Sequence, residues 1–233
     1  MYEIFSTFAY MEEKIIRALG ACPLFAGMSS MEIAMSLGNT RCKVVSLPSH
    51  EVYALAGMPC RYVDIVVKGS LICRMASLSG KQVEVSRLRE GNIVAPAFIF
   101  AKDTSLPVSV ETDGEVELLR MMPPELKTLI DNDEHLRMNF IRTLSDIDVF
   151  LTHKMKVLSL FTVREKVAYM LMKLAGEQGS NEIHLKRSRQ EIADSFGIQK
   201  FSLLRVLSEF EKEGALKIEG KKITIVDGKK MRP

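Results

Sequence analysis

Between Ser188 and Leu216 the sequence reads "SRQEIADSFGIQKFSLLRVLSEFEKEGAL", two short apolar patterns of helical period broken once by Gly197. In the second, Leu203, Val206, Leu207 and Phe210 share one stripe. That leaves Gln199, Lys200, Phe201, Ser202 and Arg205 on the other side, near the start of the helix. Cations and amides at that end suit one kind of chemistry. Phosphate is drawn to the positive end of a helix dipole, and base edges are reached from the first residues of a helix laid in a groove. Lys200 and Arg205 are natural donors to guanine O6 and N7, whereas Gln199 and Ser202 suit phosphate or sugar. Phe201 is unusual there: it contacts a thymine methyl or packs beneath the helix. Ser188 and Arg189 open the preceding helix, and Ser188-Arg189-Gln190-Glu191 fits a capping box. Further on, "LKIEGKKITIVD" reads as two strands turning at Glu219-Gly220-Lys221-Lys222, so that Lys221 and Lys222 form the tip of a wing able to grasp a phosphate backbone. A plain helical hairpin needs no such ribbon. The expected partner is DNA.

Other chemistries find less support. The four histidines, at 50, 135, 153 and 184, make no HExxH pattern, and "GNIVAPAFIF" and "GSNEIH" lack a phosphate-cradling glycine arrangement. No nucleophile–base pair or paired carboxylates stand out, so an enzyme is not expected. Cys22, Cys42, Cys60 and Cys73 lie 20, 18 and 13 positions apart and form no zinc spacing. They are expected to be buried thiols. No apolar run reaches the roughly 18–20 residues that span a bilayer, and the opening "MYEIFSTFAYMEEKIIRALG" lacks the pattern of a signal peptide. A cytoplasmic protein with no membrane partner is expected.

Charge is shared unevenly. Of 32 Lys+Arg and 29 Asp+Glu, residues 159–233 hold 15 and 10, a balance of +5, and the remainder hold 17 and 19, or −2. The basic end is the one carrying the two-helix pattern, as a nucleic-acid module requires.

The 233 residues must build the elements that position these groups, and they read as two moderate domains joined by a long helix. To about Asn39 the texture is helical. From Arg41 to Arg120 short Val/Ile/Leu-rich runs follow at spacings of about ten, which predicts a β-sandwich or barrel. These runs are "KVVSL", "EVYAL", "YVDIVVKG", "SLICRM", "QVEVSRL", "NIVAP", "LPVSVE" and "EVELLR", with breaks that include Gly57-Met58-Pro59, Gly69, Ser79-Gly80 and Gly91. Pro123-Pro124 opens a helix "PELKTLI". From about Glu134 to Ser159 a longer helical pattern places Phe140, Leu144, Ile147, Leu151 and Leu158 at steps of 4, 3, 4 and 7, with Lys154 between the last two. Such a heptad-like stripe packs on the parent domain or forms a seam with a second copy, and a homodimer is expected. The expected division is 1–132, 133–159 and 160–233.

Strand-rich domain, long helix and winged helix-turn-helix, in that order, resemble the Crp/Fnr family of bacterial transcription regulators. "RQEIADSFGIQKFSLLRVLSEFEKEGALK" looks like the recognition motif of that family, and the run from "EVYALAGMPCRYVDIVVKGSLICRM" to "GKQVEVSRLREGNIVAP" resembles its cyclic-nucleotide-binding-type jelly roll. The implied fold class is α+β: an N-terminal double-stranded β-helix or jelly roll, a long dimerisation helix and a C-terminal winged helix-turn-helix. The implied action is on a near-palindromic site, with RNA polymerase as a further partner. Departures bear on the ligand. Cyclic-nucleotide-binding members read Gly-Glu-Leu and Pro-Arg-Ser/Thr where this chain has Ala95-Pro96-Ala97 and Pro107-Val108-Ser109. The glutamate and arginine for a cyclic nucleotide are absent, so cyclic AMP is not expected. The cysteines are too dispersed for the iron–sulfur cluster of oxygen-sensing members. "GNIVAPAFIFAKDTSLPVSVE" and "NFIRTLSDIDVFLTHKMKVLSL" look closer to the regulators of hybrid-cluster-protein expression in anaerobes. That likeness implies a nitrosative or redox signal and haem as a candidate cofactor, with Cys73, Met75, His153 and Met155 as candidate axial ligands.

Overall fold

The computed structural model describes residues 13–76 and 82–231. The expected turn at Ser79-Gly80 and the first twelve residues of the helical opening lie outside them. The chain divides into two compact units, 1–148 and 149–233, and the boundary falls inside the long helix rather than at either of its ends.

The first unit starts with α1 (Glu13–Gly20) and α2 (Ser30–Leu37). Ser29 and Glu32 close a capping box that fixes where α2 begins. Seven strands follow: β1 (Cys42–Leu47), β2 (Val52–Ala54), β3 (Val63–Lys68), β4 (Ser70–Ala76), β5 (Gln82–Arg89), β6 (Ser109–Thr112) and β7 (Val116–Met121). They pair antiparallel in two sheets, ordered β1-β7-β3 and β2-β6-β4-β5, which is the expected sandwich. Val66, Leu71, Cys73, Val94, Val110, Val116 and Leu118 form one apolar cluster of its interior. A second cluster joins Leu19, Leu24 and Phe25 of the N-terminal helices to Val63, Ile65 and Leu119.

One expected strand is absent. "NIVAP" contributes a single bridge, Ile93 to Ile65, and then turns into a 3-10 helix over Pro96–Phe98. Pro96 has no amide to give a ladder, and Ala95 before it sits in the left-handed region at φ 47°. Gly91, also left-handed, permits a close approach: a Cβ there would lie 2.9 Å from the backbone of Ala21.

Asp64 is fully buried and is held by its cross-strand partner, Arg120. The guanidinium donates through Nε to Oδ1 at 2.9 Å and through Nη2 to Oδ2 at 2.7 Å, and the Tyr53 hydroxyl donates to Oδ2 at 2.7 Å. Every buried charge needs partners of this kind.

After α3 (Pro123–Asn132) comes α4 (Glu134–Leu160), 27 residues long. The first turns of α4 are anchored in the first unit. Buried Asn139 donates from Nδ2 to the carbonyls of Leu24 and Ala26, at 3.1 and 2.9 Å. Phe140 is 5% exposed and meets the Phe100 ring edge-on at 5.9 Å, and Leu144 packs partly buried on the same cluster. Phe140 therefore serves the unit's own core and is not open to a partner copy, contrary to the expectation for it, while Leu144 is half-buried against the same core. The exposed apolar residues of α4 are instead Met138, Ile141, Val149, Phe150, Leu151, Met155, Leu158 and Leu160, while Ile147 is half-buried.

The second unit holds α5 (Val163–Gln178), β8 (Glu182–His184), α6 (Arg189–Ser195), α7 (Lys200–Lys212), β9 (Leu216–Glu219) and β10 (Lys222–Ile225). Its sheet has the order β8-β10-β9, all antiparallel. Val167, Leu171, Ile183, Ala193, Leu203, Phe210 and Ile223 form its core. Among the described residues no helix is long and apolar enough to cross a membrane.

Candidate nucleic-acid interface

Helix α6 begins where the capping box requires. The Glu191 amide donates to Ser188 Oγ at 3.2 Å, and the Ser188 amide donates to Glu191 Oε2 at 2.7 Å. Ser188 is thus a cap before it is anything else. Ile192 and Ala193 face the core, and Gly197 turns the chain at φ +62°, a conformation that favours glycine. Helix α7 then buries Leu203, Val206, Leu207 and Phe210, the four residues of the expected stripe.

Its opposite face is exposed. Lys200, Phe201, Arg205, Ser208 and Lys212 all lie in solvent, with Ser202 and Leu204 half-buried beside them. Phe201 therefore does not pack beneath the helix. Gln199 is the N-cap residue, exposed and making no side-chain cap bond to the first amides of α7. Uncapped amides at the positive end of a 13-residue helix suit a phosphate oxygen. Arg205 Nε lies 3.7 Å from Glu209 Oε1, a loose pair on an exposed helix face.

The far end of α7 is locked by groups that the sequence pattern did not single out. The Arg164 guanidinium donates to both carboxylate oxygens of Glu213, at 3.1 and 2.6 Å, and lies 4.3 Å from the Phe210 ring centroid. Lys230 Nζ donates to the Glu213 carbonyl at 3.0 Å. A cation on the last carbonyls of a helix opposes its negative end. Arg164 and Glu213 are 49 positions apart, and no local pattern announces such a pair.

Strands β9 and β10 form the wing, with Gly220 at φ +62° and Lys221 in its turn. Lys221 is exposed at the tip, as expected. Lys222 is not at the tip: it is the first residue of β10, and its Nζ lies 2.7 Å from Glu182 Oε2. That ion pair, which holds the Glu182 carboxyl below its ordinary range, ties Lys222 to β8. Arg189 is likewise engaged within the protein, donating from Nη2 to the carbonyl of Gly220.

The candidate cofactor residues fall into two pairs, one in each unit. On β4, Cys73 is buried in the sandwich core and Met75 is exposed, with a register shift between Cys73 and Arg74 that breaks the simple alternation. Burial pushes the Cys73 thiol up. On α4, His153 and Met155 are both exposed and sit about 200° apart around the helix. Cys73 packs among the apolar side chains of the sandwich cluster. Among the described residues no group of three or more His, Cys, Asp and Glu is placed to hold a metal ion.

Residues 165–233 match the family model of the Crp-like helix-turn-helix domain. Over 190 residues the chain is 20% identical to the cAMP-activated global transcriptional regulator CRP of Salmonella typhimurium, covering 80% of this chain and 90% of that one. It is similar to the solved structure of FixK2 from Bradyrhizobium japonicum, with a TM-score of 0.61 and 18% identity over 82% of this chain and 96% of that one. The c-di-GMP responsive global regulator CLP of Xanthomonas campestris is similar at a TM-score of 0.64 and 19% identity, over 84% and 99% of the two chains. These likenesses agree with the fold described above: a β-sandwich of cyclic-nucleotide-binding type, helices, and a helix-turn-helix.

Proposed function

Taking as premise that residues 165–233 are a Crp-like helix-turn-helix domain, we propose that the chain is a sequence-specific DNA-binding regulator of transcription of the Crp/Fnr type. The observation that carries this reading is the open face of α7, where Lys200, Phe201 and Arg205 stand in solvent beside uncapped amides while the opposite face closes the core. Lys200 and Arg205 donate to guanine in the major groove, and the α7 amides and Lys221 hold phosphates. Enrichment of binding sites from random duplexes, followed by footprinting, tests it. Two half-sites related by a near-palindrome, centred about one helical turn (~34 Å) apart, are expected; uniform binding to all sequences contradicts it.

Two copies are proposed to pair along α4. Leu151 is 55% exposed and Met155 64%, and with Ile141 and Leu158 they keep a heptad spacing on one side of the helix. A run of large apolar side chains in water is costly unless covered, and a second copy covers it symmetrically. The seam so drawn uses Ile141, Leu151, Met155 and Leu158, with half-buried Leu144 and Ile147 at its margin, in place of Phe140. RNA polymerase is the proposed further partner.

The proposed signal is nitrosative or redox rather than a cyclic nucleotide. Ala95-Pro96-Ala97 and Pro107-Val108-Ser109 offer no charged side chain to a ribose or a cyclic phosphate. Of the buried polar groups in the first unit, Asp64, Thr112 and Asn139 are all engaged within the protein. Haem is the proposed cofactor class, with Cys73, Met75, His153 and Met155 as candidate axial ligands. A second reading has its own support. The sandwich interior is closed by Val66, Leu71, Val110 and Leu118, which suits a unit that serves dimerisation or polymerase contact without any effector. Footprints that respond to nitric oxide favour the first reading, and footprints indifferent to it favour the second.

A further inference from the structure

Phe201 is 74% exposed, the highest value for a large hydrophobic side chain among the described residues. It is the second residue of α7 and lies one turn before Arg205 on the same face. The core beneath is already closed by Leu203, Val206, Leu207 and Phe210, so the domain does not need the ring to complete its interior. An aromatic ring left in water loses the burial free energy that its area would otherwise contribute. Apart from half-buried Leu204, its neighbours on this face are cationic or polar and fit phosphate and base edges, and the ring remains largely in solvent.

We propose that Phe201 is a specificity-determining residue whose ring packs on the 5-methyl group of a thymine, next to the base pair contacted by Arg205. The inference rests on the DNA-binding reading above. Among major-groove edges the thymine methyl is the one bulky apolar group, where cytosine has only a C5–H, and it is therefore the natural partner for an apolar side chain at this position. Spacing limits which thymine it is. Four residues of helix rise about 6 Å, which corresponds to about two steps of ~3.4 Å along the duplex. The thymine is thus one or two base pairs from the guanine read by Arg205. A ring wedged between stacked bases, by contrast, has no need of the methyl group.

The test uses the full-length protein and its enriched operator. Each thymine in turn is replaced by deoxyuridine, which deletes the methyl and keeps every hydrogen-bonding group. At one or two positions per half-site, within two base pairs of the guanine whose recognition fails in Arg205→Ala, affinity falls about fourfold, the share of one buried methyl. Phe201→Ala binds the thymine and deoxyuridine operators alike, and its thermal unfolding matches wild type because the ring is 74% exposed and lies outside the core cluster. Equal wild-type affinity for all deoxyuridine operators overturns the inference, as does discrimination that survives in Phe201→Ala. A wild-type protein that enriches no sequence overturns the underlying DNA-binding reading, and this inference with it.

Discussion

Arg189 Nη2 lies 2.8 Å from the carbonyl oxygen of Gly220, a hydrogen bond that ties the first residue of α6 to the turn of the wing across 31 positions. The wing is therefore held in place by the same two-helix element that presents α7. Replacing Arg189 by alanine frees the turn without touching the core. Hydrogen exchange at the β9–β10 amides is expected to speed up, with a stability loss of about 1 kcal/mol. Affinity for all DNA sequences should fall together. An unchanged exchange rate in Arg189→Ala contradicts the role given to this bond.

Lys221 and Lys222 are adjacent in sequence and unequal in setting. Lys222 is held by Glu182 at 2.7 Å, whereas Lys221 is exposed in the turn. A phosphate contact by Lys221 releases counterions, so Lys221→Ala should lower the slope of log K against log salt by about 1 per half-site. Lys222→Ala should leave that slope nearly unchanged and instead lower the unfolding temperature. Salt titrations of the two variants on random-sequence DNA measure the difference, and equal slopes contradict it.

Carboxylates at helix ends make the second unit acid-sensitive. Hydrogen bonds from Ser188 hold the Glu191 carboxyl below its ordinary range, and those from Thr162 do the same for Glu165 at the start of α5. Hydrogen bonds from Arg164 lower Glu213. In each case the folded-state value lies below the unfolded one, so the stabilisation is complete above about pH 4.3. It is lost as the pH falls through the lower folded-state values. Thermal unfolding between pH 5 and pH 3 should therefore drop less steeply in Glu165→Gln and Glu191→Gln than in wild type. Parallel curves contradict the assignment.

Of the four thiols expected to be buried, Cys22 and Cys73 are buried, whereas Cys42 and Cys60 are only partly so. Burial pushes Cys22 up to about 12, and burial raises Cys42, Cys60 and Cys73 as well. Native Cys22 should react with iodoacetamide at pH 8 about a thousandfold more slowly than a free cysteine. It should react normally once the protein is unfolded, as intact mass spectrometry over time would record. Fast labelling of native Cys22 contradicts the burial described here.

Much of this architecture was legible in the residues. Seven of the eight apolar runs became strands, and the stripe Leu203, Val206, Leu207 and Phe210 became the buried face of α7, because periodicity of two and of 3.6 reports directly on which face is apolar. What covers that face is a different matter. The pattern of α4 marks Phe140 and Leu144 as apolar, but only the fold shows that Phe100 and the N-terminal helices cover them. "NIVAP" has strand composition, yet Pro96 removes the amide that a ladder needs. Side-chain contacts between distant positions, such as Arg189 with the Gly220 carbonyl and Lys222 with Glu182, leave no local trace. That is why two residues expected to touch DNA are found engaged within the protein.

The account depends most on α7 reading bases through Lys200 and Arg205. The direct measurement is the ratio of affinities for the enriched operator and for random DNA at one salt concentration, in wild type and in Lys200→Ala/Arg205→Ala. Wild type should favour its operator by about a thousandfold or more. The double variant should lose about 2–6 kcal/mol of that preference, while its affinity for random DNA falls only as two lost charges require. A double variant that keeps the wild-type ratio would show that sequence is read elsewhere, and the assignment of α7 would be wrong.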